Sequence, residues 1–115
     1  MMLEDVRVEL LDRATASEYA SWFRALADPS RVQLVELLAR VGQPMSVGQI
    51  VAAMGLAQST VSQHLKILAE VRFVLVDAVG NARHYRINTN CVSCFPSAAD
   101  VVMGKPAPAP GGGCS

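Results

Sequence analysis

From residue 17 to residue 71 apolar side chains recur at helical spacing, and beyond that the period shortens to about two. Tyr19/Ala20, Phe23 and Leu26/Ala27 predict a first helix over 17–27, with Ser17 able to cap it. Asp28-Pro29 then restarts the chain, Asp28 as N-cap and Pro29 at the first helical position. The helix that follows carries Val32, Leu34, Val35, Leu37 and Leu38 over most of its circumference, which predicts a central core helix ending near Gly42. Ser46 opens a third helix in a capping-box relation to Gln49; Val47, Ile50, Val51 and Met54 form its stripe and Gly55 stops it. After a short turn a fourth helix runs roughly over 58–71, with Val61, Leu65 and Leu68 facing inward.

The alternating stretches 73–77 and 83–87 then read as two strands, with Gly80-Asn81 supplying hairpin chemistry between them. A hairpin directly after such a helix pair is a wing. Pro96 to Met103 reads as a short helix, with Pro96 at its first position and Gly104 at its end. The expected fold is mainly α with a small β-hairpin wing, a winged helix-turn-helix. It divides into an N-terminal arm (1–16), the winged domain (17–88), a cysteine-containing segment with a short helix (89–104) and a disordered Pro/Gly tail (105–115).

With its apolar positions turned inward, the fourth helix leaves Gln58, Ser59, Thr60, Ser62, Gln63, His64 and Lys66 on the outside. A merely solvated face is more often rich in Glu and Lys. Small hydrogen-bonding side chains suit the DNA major groove, where Gln matches adenine and Lys reaches guanine or phosphate. Arg83, near the wing tip, is a further candidate contact to phosphate or minor groove. Arg86 is a weaker one, and Tyr85 reads as core. His64 lacks a sequence-near Cys, Asp or Glu at ligand spacing, so it reads as a DNA contact or helix-packing residue.

Composition refines this picture. A chain of 115 residues with 51% apolar content, Trp22 and three Phe is one folded domain. No apolar run approaches the ~20 residues that cross a bilayer, and the charged N-terminal stretch is no signal peptide, so the expectation is a cytoplasmic protein away from membranes. The formal net charge is zero, yet its distribution is uneven. Residues 1–44 hold five Arg against seven Asp/Glu, whereas 45–90 hold four cations against Glu70 and Asp77. The basic excess falls where phosphate contact requires it. No nucleophile–base pair or phosphate loop is visible, so an enzyme is not expected.

Cys91, Cys94 and Cys114 are the three cysteines, an odd number that does not form a disulfide framework. Cys91 and Cys94 are spaced to meet one ion, and they lie just before the helix expected at Pro96, whose N-terminus would lower thiol pKa. With no His or carboxylate beside them the donor set is all sulfur, which selects As(III), Sb(III), Hg(II), Cd(II) or Cu(I). As(III) takes three thiolates, and Cys114 on the tail can supply the third at modest entropic cost. Hg(II) or a methylated arsenical needs only Cys91 and Cys94. Other uses of these residues are a four-thiolate Zn(II) site shared by two subunits, a thiol–disulfide switch, or simple apolar packing.

The residues Arg24-Ala-Leu-Ala-Asp-Pro-Ser-Arg-Val32, Met45-Ser-Val-Gly-Gln-Ile50, Gln58-Ser-Thr-Val-Ser-Gln-His-Leu-Lys66 and Arg83-His-Tyr-Arg86 resemble the ArsR/SmtB family of winged-helix metal-sensing repressors. The resemblance spans about residues 17–88. It implies a homodimer with two recognition helices in successive major grooves of operator double-stranded DNA, released when a metal or other inducer binds. The family's Cys-Val-Cys site at the third helix is absent here, where Ser46-Val47-Gly48 stands. Its site of Asp and His on a C-terminal helix is absent too, since no His follows His84. The segment after the wing is also shorter than the family's usual final helix, so the arm and first helix are expected to carry more of the dimer. The expectation is a repressor induced by As(III) or Sb(III) at Cys91, Cys94 and Cys114, with Hg(II) as the alternative inducer and metal-free thiol redox sensing as a further one.

Overall fold

In the computed structural model the backbone is described for residues 8–104, together with all their side chains except those of residues 91–94. Five helices and a three-stranded sheet follow in the order α1 (Arg13–Ala25), α2 (Pro29–Val41), β1 (Met45–Ser46), α3 (Val47–Met54), α4 (Gln58–Glu70), β2 (Val74–Val79), β3 (Ala82–Ile87) and α5 (Thr89–Val102). The predicted helix pair and wing are all present.

Local chemistry sets most boundaries. Asp28 caps α2 by accepting from the N–H groups of Ser30 and Arg31, with Pro29 at the first turn. Ser46 and Gln49 form the complete capping box of α3. Gly42 and Gly55 end their helices at φ +69°, in the left-handed region. The hairpin closes at Gly80-Asn81, between the paired residues Val79 and Ala82.

The first helix ends at Ala25 rather than Ala27, and the strands run Val74–Val79 and Ala82–Ile87, which shortens the hairpin loop read over 78–82 to Gly80-Asn81. Three larger differences from the sequence reading have a physical cause. First, α1 begins at Arg13, because Asp12 accepts from the Thr15 N–H and caps the helix ahead of Ser17. Second, β1 is a two-residue strand that the alternation could not signal. It pairs Met45 with Tyr85 and Ser46 with His84, so the antiparallel sheet runs β1-β3-β2. Third, α5 begins at Thr89 rather than Pro96. The Asn88 side chain accepts from the Asn90 N–H and caps it, and Pro96 lies inside the helix. Proline removes one rung of the backbone ladder there; the packing of Phe95 and Ala98 holds the helix together across it.

Leu34, Leu38, Ile50, Val61, Leu65, Leu68 and Val74 are fully enclosed at the centre. Each sits where the 3.6 or 2 periodicity places it. The expectation that α2 is apolar over most of its circumference and central to the core holds for Leu34 and Leu38, which are buried, and for Val35 and Leu37, which pack against the core, but Val32 faces outward. An aromatic chain ties the helices to the wing base. Trp22 of α1 stands 6.4 Å from Phe73, Phe73 stands 5.4 Å from Phe95 of α5 in a T-shaped pair, and Phe95 stands 5.3 Å from Phe23 of α1.

Candidate nucleic-acid interface and cysteine helix

Helix α4 lies with Val61, Leu65 and Leu68 in the core. Its opposite face therefore carries Gln58, Ser59, Thr60, Ser62, Gln63 and Lys66 outward, and all six are exposed. The helix starts after Ala57, with no side-chain cap hydrogen bond. Asp12, Asp28, Ser46 and Asn88 each cap their own helix. Among the described residues no side chain caps the first N–H groups of α4, an arrangement that can receive a phosphate oxygen.

The wing extends the same surface. Ser62, Lys66 and Glu70 of α4 share one groove with Val76, Arg83 and Tyr85 of the hairpin. The groove brings together Lys66 and Arg83, two of the sequence candidates, and Glu70 tempers their charge. Arg86 is held on the wing by Asp77, with Nε donating to the carboxylate at 2.8 Å. That bond is a diagonal cross-strand pair.

His64 is placed differently from its neighbours. Its side chain is only 13% exposed, with Nε2 4.0 Å from the Asp28 carboxylate. Nδ1 lies 3.4 Å from the Arg31 guanidinium, and Arg31 itself donates to the Ala25 carbonyl. The second of the two sequence readings of His64, helix packing, matches this position: it joins α4 to the start of α2 across 36 residues of sequence. No local pattern signals such a link. Asp28 is held below the ordinary carboxylate pKa, chiefly by the hydrogen bond from the Arg31 backbone, with Ser30 and the charges of Arg31 and His64 assisting against desolvation.

Cys91 and Cys94 fall in the first two turns of α5, and Cys114 lies outside the described residues. The sequence reading put the two cysteines ahead of a helix; they are inside one. Residues three apart on a helix have Cβ atoms roughly 5–6 Å apart, within the span of a thiolate pair on one ion. Among the described residues no three His, Cys, Asp or Glu side chains converge as a metal site. Among those residues, too, no helix is long and apolar enough to cross a membrane.

Residues 28–75 match the family described as bacterial regulatory protein, arsR family. A Synechocystis protein named transcriptional repressor SmtB homolog is 38% identical over 90 residues, covering 78% of this chain and 67% of that one. The probable mercury resistance operon repressor of Streptomyces lividans is 34% identical over 84 residues, covering 73% of this chain and 61% of that one. The chain thus spans between three-fifths and two-thirds of the length of these two relatives. Among solved structures, the AntR antimony-specific transcriptional repressor superposes with a TM-score of 0.66 at 33% identity, covering 88% of both chains. A homodimeric winged helix-turn-helix DNA-binding domain from Mycobacterium bovis gives 0.66 at 27% identity, covering 84% of this chain and 91% of that one. The relatives are named as regulators and repressors of transcription, not as enzymes. Matched on sequence across the helix-turn-helix and on structure across helices and wing, the chain belongs to the ArsR/SmtB family of winged helix-turn-helix transcriptional repressors.

Proposed function

We propose that the chain binds operator double-stranded DNA as a homodimer and releases it when a thiophilic metalloid, As(III) or Sb(III), binds Cys91 and Cys94, with Cys114 as third ligand. The observation that carries this reading is the placement of two cysteines three residues apart in the helix that directly follows the wing. The donor set of sulfur alone selects a soft ion. The likeness to an antimony-specific repressor supports a trivalent metalloid. The likeness to a mercury operon repressor favours Hg(II) as the second reading, for which two thiolates suffice.

Gln58, Ser59, Thr60, Ser62, Gln63 and Lys66 would meet the major groove and Arg83 the adjacent backbone. His64 would serve this surface from behind, by holding α4 against Asp28 and Arg31. Dimerisation is supported by the homodimeric neighbour and by apolar side chains left exposed on the arm, α1 and α5, among them Leu10, Phe23, Val102 and Met103. A regulator of this kind works in the cytoplasm.

Fluorescence anisotropy of the reduced protein on its promoter DNA, titrated with arsenite, antimonite and Hg(II), tests the reading. Release by arsenite or antimonite at near-stoichiometric levels, lost in the Cys91→Ser/Cys94→Ser double variant that still binds DNA, is expected. Release by Hg(II) alone would transfer the site to the two-thiolate reading. Release by diamide alone would replace metal sensing with redox sensing. Unchanged induction in the double variant would refute the site.

A further inference from the structure

Asn88 is the buried polar side chain at the junction of the wing and the cysteine helix, 5% exposed. Its side-chain amide, side-chain oxygen and backbone N–H each have a partner, and the partners lie on different elements. Its Nδ2 donates to the Arg72 carbonyl at 2.8 Å. Its backbone N–H donates to the Phe73 carbonyl at 2.9 Å. Its Oδ1 accepts from the Asn90 N–H at 3.1 Å and so caps α5.

Arg72 and Phe73 are the residues that terminate α4. The Arg72 N–H returns to Ala69 O and the Phe73 N–H to Leu68 O, both at 3.0 Å. This is the double bond pattern of a Schellman ending, in which the left-handed position is normally glycine. Arg72 occupies it at φ +64°, the one non-glycine residue with positive φ among those described. The end of the DNA-facing helix is therefore a constrained turn, and a single carboxamide bonds both that turn and the first turn of the cysteine helix. Phe95, just after Cys94, packs edge-on against Phe73 at 5.4 Å and reinforces the same junction.

We propose that Asn88 is the positioning residue that couples the cysteine end of α5 to the DNA-reading helix α4. A shift of the first turn of α5 either breaks the bond to Arg72 or carries the Arg72–Phe73 turn, and with it the C-terminal end of α4. This inference rests on the functional reading above for its biological meaning. Its test does not need an inducer, because coupling between two sites is reciprocal: if α5 acts on α4, then DNA bound at α4 alters the surroundings of Cys91 and Cys94.

The experiment is the rate of alkylation of Cys91 and Cys94 by N-ethylmaleimide, read at each cysteine by mass spectrometry, in the full-length reduced protein with and without saturating operator DNA. The variants are Asn88→Ser and Asn88→Asp. Both retain an oxygen that can cap α5; the ionised Asp has no donor for the Arg72 carbonyl, and the single, shorter Ser hydroxyl cannot replace both arms of the carboxamide; circular dichroism and anisotropy verify that each folds and binds DNA. In the wild type the expected result is a change of about fivefold or more in the labelling rate when operator is bound, the lower end of ordinary coupling. In either variant that folds, the change collapses to less than about twofold while capping of α5 persists. No change in the wild type refutes the coupling. A change that survives in the variants refutes the role of Asn88 and points to direct shielding by DNA. Failure of arsenite to release DNA would overturn the functional reading and leave this result standing.

Discussion

Replacing Lys66 by Gln tests the DNA face through its salt dependence. Lys66 and Arg83 are the cations that share the groove between α4 and the wing. Each phosphate neutralised by a cation steepens the fall of log K with log salt by about 0.9. In the proposed dimer, with Lys66 on a phosphate, the substitution acts twice, so Lys66→Gln lowers the slope by about 1.8. Over a fourfold rise in salt, roughly 50 to 200 mM, that amounts to about 1.1 logarithmic units. The wild type therefore loses about 12-fold more affinity over this range than the variant. Arg83→Gln gives a similar loss, and the double variant about twice the reduction in slope. Glu70→Gln, in the same groove, strengthens binding by removing a repulsion.

The assay is anisotropy of a labelled operator at five or six salt concentrations, alongside a scrambled duplex of equal length. Gln63→Ala supplies the contrast. Gln63 is exposed on the outer face of α4 and carries no charge. Its loss leaves the slope intact and reduces the preference for operator over scrambled DNA, by about 5-fold or more if one good base contact is removed. A Lys66→Gln slope equal to that of wild type refutes the placement of the phosphate backbone in this groove. A flat response to every variant would move the DNA surface elsewhere.

Phe95→Ala removes T-shaped contacts to both Phe23 and Phe73; it lowers stability by about 2–4 kcal/mol in urea melts, and Phe95→Leu costs clearly less. Gly55→Ala, at φ +69° with nothing within 4 Å of the added methyl, destabilises through backbone strain alone, by about 1–2 kcal/mol. The caps at Asp12 and Asp28 have carboxylates held below their ordinary value of 3.8, chiefly by N–H groups of Thr15 and Arg31. Their contribution is fully present above that value and disappears as pH falls through the lower folded-state pKa, so Asp28→Asn narrows its stability gap to wild type between pH 5 and strongly acidic solution. A gap that stays constant into strong acid would refute that origin.

What the sequence made legible is what local chemistry encodes. Asp28-Pro29, the Ser46/Gln49 capping box and Gly55 act within one turn, and the inward Val61, Leu65 and Leu68 follow from a single period. The start of α5 was not legible, because a proline is the stronger local signal for a helix start and tertiary packing overrides it. Asn88 caps the helix earlier, and buried Ala98 and partly buried Phe95 hold the turns on either side of Pro96. Strand β1 is too short for any periodicity. The bond between His64 and Arg31 and the position of Asp28 beside them join residues far apart in sequence, and no spacing rule reaches that distance. The end of α4 was hidden for a different reason: arginine stands at the left-handed position where a glycine would have marked it.

That last residue bears on how a repressor of this size can be switched. Changing DNA affinity 5- to 150-fold takes about 1–3 kcal/mol of coupling, whereas one net hydrogen bond is worth about 0.5–1.5 kcal/mol. The switch therefore needs no rearrangement of the core around Leu34, Leu38 and Leu68. It needs one or two bonds that exist in one geometry of the wing base and not in the other. Asn88 holds two bonds to the turn at the end of α4 and one to the start of α5, and the turn it holds is already in a conformation that costs a non-glycine residue free energy. Release of that turn relaxes the strain at Arg72 as it breaks the bond, so the two contributions partly offset each other. What remains after that offset is the free energy by which the proposed ligand on the cysteine helix would act on α4.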